Sequence, residues 1–523
     1  MKRIISVFLA VLMAVPFLAS CDKKNESKKP ADPVPSIVMW TAHSYDKIRT
    51  ETRATKDVKA EYTAYVAKNE TESVNIALRS TANTGLLSFR LLSGENEYIK
   101  VEIFHVMEIL KQGRKRWTDP AAPLGPGRRF QIKKNETMAV LVDFKTEADT
   151  PAGDYVYEFG VTDKNGELLN KVRITVHVWD FEMPEERKFR TAVGNKYTVE
   201  HYEMLLEHNL SGYHIPFDLL DPRADAYMSD PRVTSFRIPF YKGDTDYEEK
   251  LTAIYEKLKT NEVWFSKAYF YPIDEPSTAE HMADIERLCN ELRRICPGIK
   301  ITSPYYKNLQ ITDEMDQIDF MDQYIDLHCP ILANWNETEI YNDYQMSKYP
   351  SFDERMKAIQ AKGETVWAYV CNYPLAPYLN VKVDDEGIVS RVLFWQFYQR
   401  DIEGFLYWHT SYYLQLGNGE NPWASVDTFR NGIYGDGILI YTGTGAGLPR
   451  STPVASIRLK IVRDGLDDIQ LLYMAEELLG HEWVDKRANS VSKSLTSVDV
   501  SSDQLAALRI EIGNAIESAL NKK

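Results

Sequence analysis

Changes of pattern along the chain predict a multidomain fold: an N-terminal β-sandwich, then a (β/α)8 TIM-type barrel, then C-terminal helices. From residue 36 to 180 short alternating runs follow one another with turn signals between them. From 181 strand-like and helix-like segments alternate, the signature of an α/β unit with parallel strands. From 453 only helical periodicity remains. At 523 residues the chain exceeds one ordinary core.

Taken in order, the N-terminus reads as an export signal. Lys2 and Arg3 form a basic start, 4–18 an apolar core, and Leu18-Ala19-Ser20-Cys21 resembles a bacterial lipobox. The expectation is a signal peptide over 1–21 with lipidation of Cys21. The mature protein would then be lipid-anchored in the bacterial cell envelope, on its periplasmic face or at the surface. An ordinary signal peptide with a chance cysteine is the other reading; the apolar run is short for a span. Residues 22–35 are polar and aperiodic, as in a flexible tether. With Cys21 set aside, four cysteines remain, without zinc spacing, and Cys289 and Cys296 lie two helical turns apart. Neither a disulfide scaffold nor a metal site is expected.

Alternation in 61–66, 73–78, 155–159 and 172–178 reads as strands with one wet face, within a sandwich of 36–180. The barrel is expected over 181–452. Its strands are read near 190–194, 212–215, 236–240, 263–271, 300–303, 320–328, 365–371 and 404–408. Helices are read at 199–209, 247–261, 279–296, 352–362 and 390–401. An open doubly wound sheet is the alternative. The helical segment 453–523 should complete or underpin the barrel.

The net charge of −14 argues against nucleic acid as a partner, because a phosphate-backbone binder needs a basic face. Aromatics make up 12% of the chain, which suits both flat binding surfaces and cores. The segment carrying the most chemistry is Tyr269-Phe270-Tyr271-Pro272-Ile273-Asp274-Glu275-Pro276. In a barrel, strand ends face the active site. Adjacent carboxylates in a low-dielectric pocket raise at least one pKa, which suits one of them to act as an acid. Both reach one pocket only if the strand breaks its pleat there. A charged turn before a helix capped at Ser277 and Glu280 is equally coherent.

Other strand-end and loop residues offer sugar contacts or plain structure. Tyr369, Trp408 and Trp367 are candidate walls of a sugar subsite, or barrel core. His409, Asp322, Tyr324 and Asn195 are candidate hydroxyl partners, or caps. Trp335 and Trp423, in predicted loops, are candidate platforms. Arg458, Arg463 and Asp464 read as pairs pinning a helix to the barrel, and Gly443, Gly445 and Gly447 as a flexible loop rather than a phosphate loop.

Four segments occur in order: Asp180-Phe181-Glu182-Met183-Pro184, Tyr271-Pro272-Ile273-Asp274-Glu275-Pro276, Gly404-Phe405-Leu406-Tyr407-Trp408 and the run from Ser456 to Asp468. Together they resemble glycoside hydrolase family 123, the β-N-acetylgalactosaminidases and their uncharacterised relatives, over most of the chain from Ser36. The resemblance implies an exo-acting, retaining hydrolase of terminal β-linked N-acetylgalactosamine with a glycan as substrate. Glu275 is then the general acid/base and Asp274 the partner of the 2-acetamido N–H, whose carbonyl attacks the anomeric carbon to give an oxazolinium. No metal or organic cofactor is implied, and the oligomeric state is left open. A hydrolase of another sugar and a surface glycan-binding protein without catalysis are the alternatives.

Overall fold

The computed structural model describes residues 36–110, 116–125, 127–196, 198–240, 245–336, 349–414, 421–429 and 432–522. The export signal, the tether and Cys21 lie outside the described residues.

Nine strands build the N-terminal unit: β1 (Ile37–His43), β2 (Glu61–Lys68), β3 (Thr71–Ser80), β4 (Ser88–Ser93), β5 (Ile99–Leu110), β6 (Arg116–Pro123), β7 (Thr137–Thr146), β8 (Gly153–Thr162) and β9 (Leu168–Glu182). They form a five-stranded sheet in the order β1-β3-β7-β5-β6 and a four-stranded sheet in the order β2-β9-β8-β4. Alternation puts Val74, Ile76 and Leu78 of β3, Val140, Val142 and Phe144 of β7, Tyr157 and Phe159 of β8, and Ile174 and Val176 of β9 into one buried cluster. Phe144 of the first sheet meets Tyr157 of the second at 5.1 Å between ring centroids.

The second unit alternates strands and helices. Strands β10 (Arg190–Val193), β11 (Phe236–Arg237), β12 (Ala268–Phe270) and β13 (Lys300–Ile301) come first. A small hairpin of β14 (Gln310–Thr312) and β15 (Met315–Asp316) follows. Then come β16 (Leu327–His328), β17 (Thr365–Val370) and β18 (Gly404–Tyr407). One parallel sheet has the order β10-β18-β17-β16 and another β11-β12-β13. Single parallel bridges, Val193↔Gly212 and Thr302↔Leu327, lie at the two seams, and the Arg237 N–H donates to the Tyr213 carbonyl at 2.7 Å.

Of the expected strands, 212–215 keeps only a bridge at Gly212, 236–240 keeps Phe236–Arg237 and 300–303 keeps Lys300–Ile301, and two more give way in part to helix. In 263–271 only Ala268–Phe270 is strand, and Glu262–Lys267 is helix. Asn261 caps that helix, its side-chain oxygen accepting from the Val263 and Trp264 N–H groups. A satisfied N-cap overrides the β-propensity of Val, Trp and Phe. In 320–328 only Leu327–His328 is strand, because Asp316 caps a helix over Gln317–Met321. Asp322 and Tyr324, expected on the sixth strand, therefore precede it.

The C-terminal helix Ile457–Leu479 is buried along most of its length. Arg458 reaches Asp119 of β6 at 2.8 Å, both fully buried, and Arg463 reaches Asp143 of β7 at 3.1 Å. The arginines, expected to pin the helix to the barrel, instead find carboxylate partners on the N-terminal sheets. The other side of the helix meets the helix Gly387–Tyr398, where Arg391 pairs with Asp468 at 2.7 Å. The segment around Gly443, Gly445 and Gly447, expected as a flexible loop, is a 3₁₀ turn over Gly443–Ala446 beneath the Trp423 ring.

Candidate active site

Strand β12 ends at Phe270, and the chain then turns through Tyr271 to Pro276. Glu275 has φ of +44°, a left-handed conformation that a side chain with a Cβ adopts at a cost. This is the break in the pleat that the adjacent carboxylates require. Around it the backbone is held from several sides. The Ser303 hydroxyl donates to the Ile273 carbonyl at 2.5 Å, the Gln317 amide to the Pro276 carbonyl at 2.9 Å, and Arg237 to the Tyr271 carbonyl at 2.9 Å. The following helix begins at Ala279 with Thr278, not Ser277, as its cap: the His281 N–H donates to the Thr278 hydroxyl at 3.2 Å. The cap thus lies one residue beyond the expected Ser277 and is compatible with a pocket role for the two carboxylates. The cap uses neither Asp274 nor Glu275.

The two carboxylates sit in different surroundings. Asp274 is exposed and accepts from the Tyr271 hydroxyl at 2.6 Å. Glu275 is half-buried, and its Oε1 accepts from the Tyr369 hydroxyl at 2.5 Å. Burial pushes the Glu275 pKa above the usual carboxylate range, the Tyr369 hydrogen bond draws it back, and the charge on Asp274 raises it. Burial and the neighbouring carboxylate thus favour the protonated form of Glu275.

Tyr369 is on β17. Trp367, two residues earlier on the same face of that strand, lies deeper, edge-on to Tyr269 at 5.7 Å and against Gly404. It belongs to the packed interior. Beyond Tyr369 a polar chain runs across the strand ends. The Cys371 carbonyl accepts from Lys382, Lys382 lies 3.4 Å from Asp436, and Asp436 accepts from the Trp408 indole N–H at 2.9 Å. Trp408 also packs on Tyr412 at 4.7 Å and Phe429 at 5.6 Å. Phe429 is exposed, so this cluster presents an aromatic face to solvent. Lys382 and Asp436 carry no motif, and sequence reasoning missed them, as it missed Tyr271 as the partner of Asp274. Tyr271 was findable, since it lies in the very segment that drew attention.

The remaining candidates have structural occupations. Asn195 is buried; its amide donates to the His214 and Lys196 carbonyls and accepts from the His214 N–H. His409 is buried, accepts from the Ser411 N–H at 2.9 Å, and is pushed down to a pKa of about 4 by burial. Trp335 packs edge-on against Phe352 at 5.0 Å. Trp423 donates to the Thr442 carbonyl at 2.9 Å. Asp322 and Tyr324 lie before β16, at the N-terminal ends of the parallel strands, whereas Asp274 and Glu275 follow a strand. The structure does not bring them to the carboxylate pair.

The catalytic-domain model of glycoside hydrolase 123 matches residues 131–475, well over half of the chain. The chain belongs to glycoside hydrolase family 123. It is a glycoside hydrolase. A family 123 glycoside hydrolase from Clostridium perfringens has a similar structure, with a TM-score of 0.63 at 14% identity, covering 93% of this chain and 98% of that one. That structure comes from a study of glycolipid glycan hydrolysis. A glycosyl hydrolase family 2 member from Bacteroides cellulosilyticus is far less similar, with a TM-score of 0.22 at 9% identity over 66% of this chain and 44% of that one. No curated protein matches the sequence.

Proposed function

We propose that this family 123 hydrolase is an exo-acting, retaining enzyme that removes terminal β-linked N-acetylgalactosamine with the help of the sugar's own acetamido group. The observation that carries the reading is the pair of adjacent carboxylates held in unlike environments by two tyrosines. Glu275, kept protonated by burial, donates its proton to the glycosidic oxygen as the bond to the aglycone breaks. Asp274, exposed, holds the acetamido N–H, and the acetamido oxygen attacks the anomeric carbon to form an oxazolinium. The Glu275 carboxylate then takes a proton from water, which opens the ring at the anomeric carbon. Two inversions give retention without a second protein nucleophile, an exception to the usual pair of separated carboxylates. Trp408, with Phe429 and Tyr412, offers the apolar wall that a sugar ring's C–H face needs.

Eight parallel segments from β10 to β18, joined by the two bridges, support a (β/α)8 barrel as the catalytic unit, and the two N-terminal sheets support a sandwich. The work on the similar Clostridium perfringens enzyme favours a glycolipid or glycoprotein oligosaccharide as substrate. The export signal favours an envelope lipoprotein anchored at Cys21. Cys21→Ser should shift the protein from the membrane to the soluble fraction, and retention in the membrane would overturn the anchor.

The substrate claim is tested with aryl β-glycosides of N-acetylgalactosamine, N-acetylglucosamine and galactose. N-acetylgalactosaminide should be preferred, a thiazoline analogue should inhibit, and Glu275→Gln should lower kcat by ~10²–10⁴-fold. Turnover of plain galactoside without thiazoline inhibition would remove the acetamido mechanism. No turnover of any glycoside by the wild type would favour a glycan-binding role.

A further inference from the structure

At the opposite ends of the parallel strands from Glu275 lies a second cluster of polar groups. Asp322 follows the helix Gln317–Met321, His328 closes β16, and Glu364 immediately precedes β17. One ligand-capable atom from each lies within 4.8 Å of the others. His328 Nε2 is 3.4 Å from Asp322 Oδ1 and 3.3 Å from Glu364 Oε2. His328 has no exposed side-chain surface, and none of these three atoms makes a hydrogen bond among the described residues. Buried polar atoms are rarely left so.

From this geometry we infer a divalent metal site, with zinc as the fitting ion, held by Asp322, His328 and Glu364. Ligand atoms at zinc bond lengths, arranged as a tetrahedron, lie about 3.3–3.5 Å apart, which is the spacing of His328 Nε2 from each of the two carboxylate oxygens. One imidazole and two carboxylates are ligand types zinc accepts, with the fourth position left to water. The surroundings match what such ligands need. His328 Nδ1 faces the Tyr305 hydroxyl at 3.2 Å, an oxygen that can accept from an Nδ1–H and so leave the Nε2 lone pair for the ion. Lys362 pairs with the other oxygen of Asp322 and fixes its carboxylate. Two carboxylates and one ammonium leave a net negative charge, which a dication offsets. The site is structural, binding the segments before two neighbouring strands, and takes no part in glycoside cleavage.

The test uses purified full-length protein, stripped with chelator and titrated with zinc. One equivalent should bind and raise Tm, and cobalt(II) should give the d–d absorption of a tetrahedral site. Glu364→Gln and Asp322→Asn, checked for folding by circular dichroism, should each weaken zinc by at least about tenfold while glycoside turnover persists. Absence of zinc binding by the wild type, or equal binding by both variants, would overturn the site. The three side chains would then pack together without an ion.

Discussion

The hydrogen bond from Tyr369 to Glu275 is the contact on which the acid's titration turns. It favours the ionised carboxylate and so opposes burial and Asp274, which both favour the proton. Tyr369→Phe removes only the opposing influence, so the Glu275 pKa rises further. The acid stays protonated to higher pH, and the alkaline limb of the kcat/KM profile should move upward. A lower rate with an unmoved limb would mean that Tyr369 only positions the carboxylate. At this scale Asp274-Glu275-Pro276 marked the carboxylate pair, but it took the ordered family-like segments to favour a site over a charged turn. The tyrosine that governs it was legible only as one of several aromatic strand residues. Which aromatic faces the acid depends on depth along β17, where two residues separate the interior Trp367 from Tyr369. Sequence periodicity assigns both to the same face and cannot rank them by depth.

Among the elements, the helix Ile457–Leu479 decides how the two units are joined. Its charged residues sit in the interior, paired with carboxylates from β6 and β7 and with the neighbouring helix. Breaking a buried pair by removing one partner leaves an uncompensated charge and costs about 3–5 kcal/mol. Arg458→Met should therefore lower the urea midpoint by that equivalent, and adding Asp119→Leu should recover much of it. A loss under about 1 kcal/mol, the range of an exposed pair, would contradict the account. The sequence shows that Arg458, Arg463 and Asp464 belong to a helix. It does not show the strand carboxylates Asp119 and Asp143 that the two arginines meet, which lie more than three hundred residues away in the chain. The two misread strands have a different cause. In each, a single capping residue, Asn261 or Asp316, outweighs a run of β-prone side chains, and the helix that results is one or two turns long.

For the molecule as a whole, the junction between the sheets and the catalytic unit carries a pH dependence of its own. Glu72 of β3 faces Arg391 and Arg509, yet burial dominates and lifts its pKa to about 7. The folded protein thus binds this proton more tightly than the unfolded chain does. Its contribution to stability is full below about pH 4.5 and is lost as pH rises towards about 7. Thermal unfolding across that window should show Tm falling with pH, and Glu72→Gln should make the fall shallower. An unchanged slope would assign the effect to other groups at the junction. The order of domains and most of the helices were legible in the sequence, because periodicity is local. The junction was not, because it is made of charges that look like ordinary surface residues until distant segments bring them together.

The left-handed backbone at Glu275 has one more consequence, and it concerns the choice between hydrolysis and mere binding. Most residues other than glycine are strained there, so folding alone would favour glycine, and on the proposed mechanism the need for an acid is what favours glutamate. A protein of this fold that gave up hydrolysis for mere glycan binding would gain stability from glycine at 275. Glutamate on a strained backbone is thus what the proposed catalytic role expects and what a binding-only role does not.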